Sequence, residues 1–471
     1  MSARRLSASL FAILFLAALV YVSYQTAVVV MRTAALRKYQ RTIYAAGKYP
    51  PEPKDIKQLA AEISRKADRL GGDDLKSMQF DILSYEAWCY PDEQVDTLHV
   101  ALPLGEQLYQ RMPDNRLFIG DRLVWSYVYT ALPGQVEHWM DETAREPSLR
   151  STVLYYVLSA RLMRDDLAGA RKLIEDELAQ SPSAETQTFA LVGYTMLNDL
   201  DVASRYEQSF QGDTYFPALY SYVLGDYLIE QGRFGDAYIH LSQAMESTTN
   251  GVLNADDAAT LLVAYAGEHG LNQDPYADQL SERAAQSTHN ARGQSSVKAW
   301  TLAELYRIRG KSEDWQLLQA LVSSGKPRYN IAAAYAAARL YYRDGTASMV
   351  PLLSAVELAQ RALELAQDGR ERQEANLIMA RALLLPVSGQ PASAEERAIS
   401  LTHLRCALGD PQADGSVQSQ RVPEYSEYLL DENVRAARLA DQQFDVGVHA
   451  AITEYLARRE ALYADVVPKA H

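Results

Sequence analysis

The side chains that could do chemistry are scattered along the chain rather than grouped. Its eight histidines include no pair four residues apart, the spacing that places two metal ligands on one face of a helix. No glycine-rich phosphate loop and no Gly-x-Ser-x-Gly nucleophile motif occurs. Two cysteines, Cys89 and Cys406, are too few for a disulfide scaffold or a zinc site built from thiolates. The sequence therefore predicts no catalytic site, no cofactor and no metal.

Adjacent acidic residues and one Glu-His pair are the remaining candidates for acid–base chemistry. Glu268 and His269 stand at a predicted helix end before Gly270, where a histidine interacts with the last carbonyl groups. Three aspartate pairs stand at or near predicted helix starts, where an aspartate caps N–H groups that have no helical partner. They are Asp73 and Asp74, Asp165 and Asp166, and Asp256 and Asp257. Helix capping explains these residues better than catalysis does.

Charge and tyrosine content narrow the class of partner. Residues 1–39 hold five basic residues and no acidic one, which leaves 41 basic against 60 acidic residues in the rest of the chain. So acidic a surface repels phosphate, which excludes nucleic acid as a partner. Of the 30 tyrosines, against nine phenylalanines, we expect most to be packing residues whose hydroxyl reaches water, and the others to line a binding surface.

The N-terminal region predicts a membrane anchor. Residues 10–31 form an uncharged run of 22 residues, and about 20 helical residues cross the bilayer core. Arg4 and Arg5 before an apolar run also suit a cleaved export signal, but no small-x-small cleavage site closes this run. We expect an uncleaved single-pass anchor, continued by a basic stalk helix that ends near Gly47 and lifts the rest of the chain off the membrane.

Two sequence signals disagree about the side of the membrane on which the large domain lies. Arg32, Arg37, Lys38 and Arg41 outnumber the basic residues before the run, and the positive-inside rule alone would place the large domain in the cytoplasm. An Arg-Arg start before an apolar run is, however, how an export signal begins. We expect a bacterial inner-membrane protein whose large domain lies in the periplasm.

Beyond Pro53 the pattern is helical, with apolar residues three and four apart in segments of about 12 to 18 residues. The clearest unit covers residues 219–245. In it Gly225 and Ala237 are small enough for two antiparallel helices to approach closely, and Gly232 opens the turn between them. This unit resembles the tetratricopeptide repeat, which has a Leu-Gly pair in its first helix and spaced alanines in its second.

The resemblance implies an all-α fold, namely a right-handed solenoid of helical hairpins. Weaker units place Val263, Ala303 and Ala338 at the position of Gly225. Two further stretches resemble second helices, on the residues Ala101, Leu108 and Pro113 and the residues Ala170, Ile174 and Pro182. The alternative is an all-α globule in which these matches arise by chance.

The chain then divides into four parts. They are an anchor and stalk (1–48), a linker and first helix (49–78), the repeats (79–411), and a loop with capping helices (412–471). A bridge between Cys89 and Cys406 would have to close this long array on itself, and we expect none.

In tetratricopeptide repeats, the residues three before, one after and four after the small residue tend to line the concave surface. Carried over to Gly225, Ala303 and Ala338, this implies a partner-binding groove of aromatic, acidic and basic residues. The groove residues are Tyr222, Asp226, Ile229, Trp300, Glu304, Arg307, Tyr335, Arg339 and Tyr342. Aromatic anchors with charges beside them suit the docking of a peptide segment.

We therefore expect a membrane-anchored scaffold, without enzymatic activity, that docks membrane or envelope proteins and assembles or stabilises their complex. A glycan-handling protein, either a scaffold in polysaccharide export or a glycan-active enzyme, is the first alternative. Two carboxylates facing each other across about 5 to 10 Å on an aromatic surface would favour that enzyme. A permanent structural subunit of a larger membrane complex is the second alternative.

Overall fold

The structure is a computed structural model, and most of the residues it describes are helical. They are residues 28, 30–35, 37–39, 53–89, 94–130, 132–142, 149–180, 182–197, 199–203, 205, 206, 225, 228, 233–247, 255–269, 312, 313, 316, 317, 320, 323, 352–386, 390–410, 413, 422, 423 and 425–466. No β-strand occurs within these residues. The prediction of an all-α fold is confirmed for them.

The helices are numbered here in chain order. They are α1 (Pro53–Leu70), α2 (Asp73–Cys89), α3 (Gln94–Arg111), α4 (Arg116–Thr130), α5 (Pro133–Glu142), α6 (Arg150–Met163), α7 (Leu167–Gln180), α8 (Ala184–Met196), α9 (Leu200–Ala203), α10 (Phe234–Ser247), α11 (Ala255–His269), α12 (Leu352–Leu365), α13 (Gly369–Ala382), α14 (Ala394–Ala407), α15 (Ser426–Leu430), α16 (Glu432–Ala440) and α17 (Gln442–Leu462). A short 3-10 helix, Pro113–Asn115, precedes α4.

Local sequence signals explain where several helices begin and end. Ser183 precedes α8 and Ser393 precedes α14, and each hydroxyl accepts a hydrogen bond from the backbone N–H three residues later, within a capping box. Asp441 caps α17 with its carboxylate. After α1 the chain turns at Gly71 and Gly72, whose φ angles of 61° and 99° favour glycine.

The first helices stack in two layers. From α1 to α9 each helix packs against the next. In addition, α2 packs on α4, α4 on α6, and α6 on α8, so these four helices form one layer, and α3, α5 and α7 each bridge two of its members. Helix pairs stacked in this way are compatible with a helical solenoid.

A regular register runs through this layer. Helices α4, α6 and α8 begin at Arg116, Arg150 and Ala184, so each starts about 34 residues after the one before. The buried residues Val124, Leu158, Val192 and Gly225 follow one another at the same interval of about 34 residues. Val136, Ala170 and Ala237 follow Val124, Leu158 and Gly225, respectively, at one constant offset. Each of the three lies in the next helix and is fully buried.

Small residues bring neighbouring helices close together, as predicted for Gly225. A Cβ atom on Gly225 would lie 2.5 Å from Cγ of Leu241 in α10, closer than real Cβ contacts. A Cβ atom on Gly105 in α3 would lie 2.5 Å from the Phe80 ring of α2 and 2.7 Å from the Leu123 side chain of α4. The close approach predicted at Gly225 is therefore confirmed.

The described part of the predicted stalk lies against the first hairpin. Residues 28, 30–35 and 37–39, called here the N-terminal segment, are helical. The hydroxyl of Tyr39 donates a hydrogen bond to Asp81 in α2, and the guanidinium of Arg32 donates to two carbonyl groups at the end of α1 (2.8 and 3.1 Å). The N-terminal segment therefore packs against the first hairpin, and residues 40–48 of the predicted stalk lie outside the described residues.

The predicted anchor, residues 10–31, falls almost entirely outside the described residues. Three residues near its end are described: Val28 is buried, and Val30 and Met31 are exposed. Among the described helices, none is both long enough and apolar enough to cross a bilayer.

The C-terminal helices pack on the second half of the chain and also return to the first. Helix α17 packs against α14 and α16. At its far end, Nε2 of His99 in α3 lies 2.7 Å from the carbonyl oxygen of Leu462. Tyr463 is fully buried in the core that extends from Ala35 to Ala264. The described chain therefore closes on itself through non-covalent contacts, which the picture of an open array did not predict.

Candidate docking surface

The predicted groove is not part of what the structure describes. All nine of its residues lie outside the described residues: Tyr222, Asp226, Ile229, Trp300, Glu304, Arg307, Tyr335, Arg339 and Tyr342. The same register is described earlier in the layer, on α4 and α6. Counted from Val124 on α4, the residues three before, one after and four after are Asp121, Trp125 and Val128, and all three are partly exposed.

These residues belong to a polar and aromatic stripe along α4. Phe118, Asp121, Arg122 and Trp125 share one face because residues three, four and seven apart do so on a helix. The opposite face carries Leu123, which is fully buried toward α3. Phe118 is 39% exposed and the side chain of Arg122 is 19% exposed. The stripe thus faces away from the second layer.

Aromatic rings surround the guanidinium group of Arg122. Its Cζ atom lies 4.8 Å from the ring centre of Tyr85 on α2, 5.4 Å from that of Trp125 and 5.8 Å from that of Phe118. Nη2 also donates a hydrogen bond to the Tyr85 hydroxyl at 3.2 Å. Cation–π contacts of this kind attract the guanidinium group to the rings. Tyr85, Phe118, Asp121, Arg122 and Trp125 are called the docking face below.

Below the docking face, the buried side chain of Asp81 also contacts Arg122. The Asp81 residue is 1% exposed, and its Oδ1 lies 2.9 Å from Nε of Arg122, an ion-pair distance without the alignment of a hydrogen bond. Its Oδ2 accepts a hydrogen bond from the hydroxyl of Tyr39. Burial raises the pKa of Asp81 to about 6, and the charge of Arg122 opposes that rise. Asp81 therefore connects the docking face to the N-terminal segment.

Two serines allow α2 and α4 to approach closely at this point. Ser84 on α2 and Ser126 on α4 are each 1% exposed, and their hydroxyl oxygens lie 3.3 Å apart. The Ser126 hydroxyl also donates to the carbonyl oxygen of Arg122 at 2.7 Å. Because larger side chains here would separate the helices, the serines keep Tyr85 within reach of Arg122.

The exposed surface continues onto α6 and ends at α8. Counted from Leu158, the register gives Tyr155 and Ser159, which are partly exposed, and Leu162, which is buried. On α8, Phe189 is only 5% exposed. The open part of the layer therefore lies on α4 and α6, since Tyr85 on α2 is only 5% exposed.

The acidic residues singled out in the sequence have mostly structural roles where the structure describes them. Oδ1 of Asp166 accepts a hydrogen bond from the backbone N–H of Gly169 at 2.8 Å, the capping role predicted for it. Asp165 instead adopts a positive φ of 62° and binds Arg438. His269 is the last residue of α11, as predicted, and its ring centre lies 4.6 Å from that of Tyr265.

The docking face combines apolar ring surface, a guanidinium group and a carboxylate, a mixture typical of protein-binding surfaces. Within the part of the chain that the structure describes, no group of three or more His, Cys, Asp or Glu side chains is placed to hold a metal ion.

Sequence reasoning missed the docking face, and the constant interval between repeats is the signal that leads to it. Stepping back from Gly225 by about one repeat at a time reaches Val192, then Leu158 and then Val124. Comparison with known proteins adds no family, because no protein-family model matches the chain and no curated protein matches it significantly.

Proposed function

We propose that the protein is a membrane-anchored, tetratricopeptide-like scaffold that docks partner proteins and so assembles or stabilises a membrane or envelope complex. The observation that carries this proposal is the docking face. In it a partly exposed Arg122 is stacked among three aromatic rings and paired from behind with the buried Asp81. Tryptophan, tyrosine and arginine are the residue types that dominate binding energy at protein interfaces.

The repeat geometry supports the tetratricopeptide-like part of the proposal. The interval between the starts of α4, α6 and α8 equals the period of that repeat, about 34 residues. The offset from Val124 to Val136 is the same as that from Leu158 to Ala170. Gly225 and Ala237, in the unit that carries the resemblance, are separated by this offset too. Helices α4, α6 and α8 then correspond to the first helices of successive repeats.

The anchoring part of the proposal rests on the sequence. The uncharged run of residues 10–31 is long enough to cross a bilayer, and Arg4 and Arg5 precede it as in exported proteins. We propose insertion in a bacterial inner membrane with the array in the periplasm.

The docking face is pre-organised, which favours binding. Ordering a mobile arginine costs roughly 0.5–1.5 kcal/mol on association. Arg122 is already held by Asp81 and by the rings of Tyr85 and Trp125, so most of this cost is absent when a partner binds. Phe118 adds the apolar surface that a partner side chain would cover.

Site-specific photo-cross-linking in cells tests the proposal. A benzoylphenylalanine placed at Phe118, which is 39% exposed, keeps an aromatic ring on the docking face. The control carries the same group at Leu439, which is 91% exposed on α16. We expect a defined protein adduct from position 118 that position 439 does not give.

A second substitution makes the test specific. Trp125→Ala removes one ring from the docking face, and the loss of an interface anchor of this kind is worth about 1.4 kcal/mol or more, a factor of ten in affinity. The adduct from position 118 should therefore fall about tenfold in the Trp125→Ala chain. Identical adducts from positions 118 and 439, or an adduct unaffected by Trp125→Ala, would contradict the proposal.

A further inference from the structure

The C-terminal ends of α4, α6 and α8 are all bonded to the last helices of the chain. The last carbonyl groups of a helix have no partner within it and must find one elsewhere. Here the carbonyl oxygens of Thr130, Met163 and Leu197 each accept a hydrogen bond from a side chain of residues 425–466. The donors, in the same order, are Nε of Arg459 (3.0 Å), the hydroxyl of Tyr425 (2.5 Å) and Nη2 of Arg435 (2.7 Å).

An ion pair lies beside the hydrogen bond between Tyr425 and Met163. Asp165, which is 3% exposed at its side chain, accepts hydrogen bonds from Nη1 and Nη2 of Arg438 at 2.8 and 2.5 Å. Nδ1 of His449 lies 3.7 Å from the same carboxylate. Within the C-terminal helices, Nε of Arg438 also donates to Asp445 at 2.5 Å. Arg438 therefore binds one carboxylate across the junction and one on its own side.

The junction itself is largely polar. In the described residues, one hydrophobic core extends through α1 to α11 and a second through α13 to α17. Few apolar side chains cross between them: Leu430, Tyr463 and Val466 contact the first core, and Met163 contacts the second. Bonds to helix-end carbonyl groups are replaced by bonds to water on opening, so their net contribution is small.

The bonds also follow the repeat register. Thr130, Met163 and Leu197, which carry the three accepting carbonyl groups, are spaced by one repeat each, about 34 residues. Successive hairpins are thus tied at equivalent points to one body, the C-terminal helices. Fixing three equivalent points along a stack of hairpins fixes the angle between them.

We propose that residues 425–466 are a releasable clasp that holds the C-terminal ends of α4, α6 and α8 and so sets the curvature of the helical layer. When the clasp opens, the hairpins remain folded and the layer changes its curvature. The clasp does not depend on the identity of any docked partner, and its test needs none.

Electron-spin distance measurement on the full chain in mild detergent tests the clasp. One spin label replaces Leu439 on α16, and the other replaces Lys172, an exposed residue of α7. Cys89 and Cys406 are changed to serine so that only these two positions carry labels. The unaltered junction should give one narrow distance distribution, and a broad distribution in this chain would overturn the proposal.

Two variants remove the contacts across the junction, and a third is their matched control. Asp165→Asn removes the carboxylate that Arg438 binds across the junction, and asparagine tolerates the positive φ at this position. Tyr425→Phe removes the hydroxyl bonded to Met163. Asp445→Asn removes the other carboxylate of Arg438, with the same change of charge, but leaves the junction intact.

The double variant Asp165→Asn with Tyr425→Phe should shift the distribution to longer and broader distances at an unchanged helix content. Asp445→Asn should keep the narrow distribution. If the double variant does not fold, the same comparison is made with the single variant Asp165→Asn. A narrow, unshifted distribution in the folded Asp165→Asn chain, or equal broadening in Asp445→Asn, would overturn the proposal.

Discussion

Replacing Gly105 by alanine should destabilise the protein, although alanine favours a helix. Gly105 lies in α3 where α2 and α4 both approach it, and an added Cβ would lie 2.5 Å from Phe80 and 2.7 Å from Leu123. Both of these side chains are fully buried, so neither can move into solvent. Overpacking of this kind costs about 1–3 kcal/mol, and the gain in helix propensity returns about 1 kcal/mol. The net loss in the free energy of unfolding should therefore lie between about 0 and 2 kcal/mol, and near the upper value because two buried side chains are met at once.

Gly134→Ala is the matched control, because it makes the same chemical change in an open place. Gly134 lies in the first turn of α5, where an added Cβ would meet only the end of the Arg164 side chain at 3.3 Å. Thermal unfolding followed by circular dichroism at about 222 nm compares the two variants with the wild type. We expect Gly105→Ala to lower the midpoint by several degrees, and Gly134→Ala to leave it unchanged or raise it.

The comparison decides whether small residues are needed for close helix approach. If Gly105→Ala unfolded at the same temperature as Gly134→Ala, the helices would have room for a methyl group at the tightest point of the stack. The reasoning that derives the layered hairpins from spaced small residues would then be refuted.

Two further predictions concern Asp81 and the N-terminal segment. The pKa of Asp81 is about 6 in the folded chain against 3.8 in the reference state, so its stabilising contribution is full below about pH 4 and is lost as the pH rises through 6. Relative to Asp81→Asn, the free energy of unfolding of the wild type in urea should therefore fall by about 3 kcal/mol between about pH 4 and pH 7, and a pH-independent difference would contradict this. Deleting residues 1–31 should leave a folded chain that elutes as one peak without detergent. Deleting residues 1–48 should lower its unfolding temperature, since the bonds of Arg32 and Tyr39 are lost, and equal temperatures would show that these bonds do not stabilise the first hairpin.

Contacts within a hairpin could be predicted from the sequence because they depend on local spacing. The sequence pattern places Ala101 and Leu108 in one second helix, and Ala170 and Ile174 in another. All four side chains are fully buried, in α3 and α7. Residues three, four and seven apart must share a helix face whatever the rest of the chain does, which is why this step succeeds.

The first helices α4 and α6 were not predicted, because the resemblance directs the search to a small residue at one position. Val124 and Leu158 occupy that position, and both are large and fully buried. The close approach of α2 and α4 comes instead from Ser84 and Ser126, and Gly105 provides it for α3. A repeat can therefore keep its period while its small residues move to other positions.

Contacts between distant parts of the chain leave no spacing signal. Tyr39 and Asp81 are 42 residues apart, and Asp165 and Arg438 are 273 residues apart. Each pair forms only because the hairpins stack at a particular angle, and small differences in that angle add up along the stack. The docking of the N-terminal segment and the closure by the C-terminal helices were for this reason beyond the reach of the sequence pattern.

The docking face and the clasp are built on the same helices. Helix α4 carries Phe118 and Trp125 on its open face and ends at Thr130, whose carbonyl group binds Arg459. If a partner and the clasp both favour one curvature of the layer, each must strengthen the other by the same factor. Asp165→Asn should then reduce the adduct from position 118, although Asp165 lies outside the docking face, and bound partner should narrow the distance distribution in that variant. A reduced adduct without this narrowing would mean that opening the clasp disrupts the docking face itself rather than shifting its curvature.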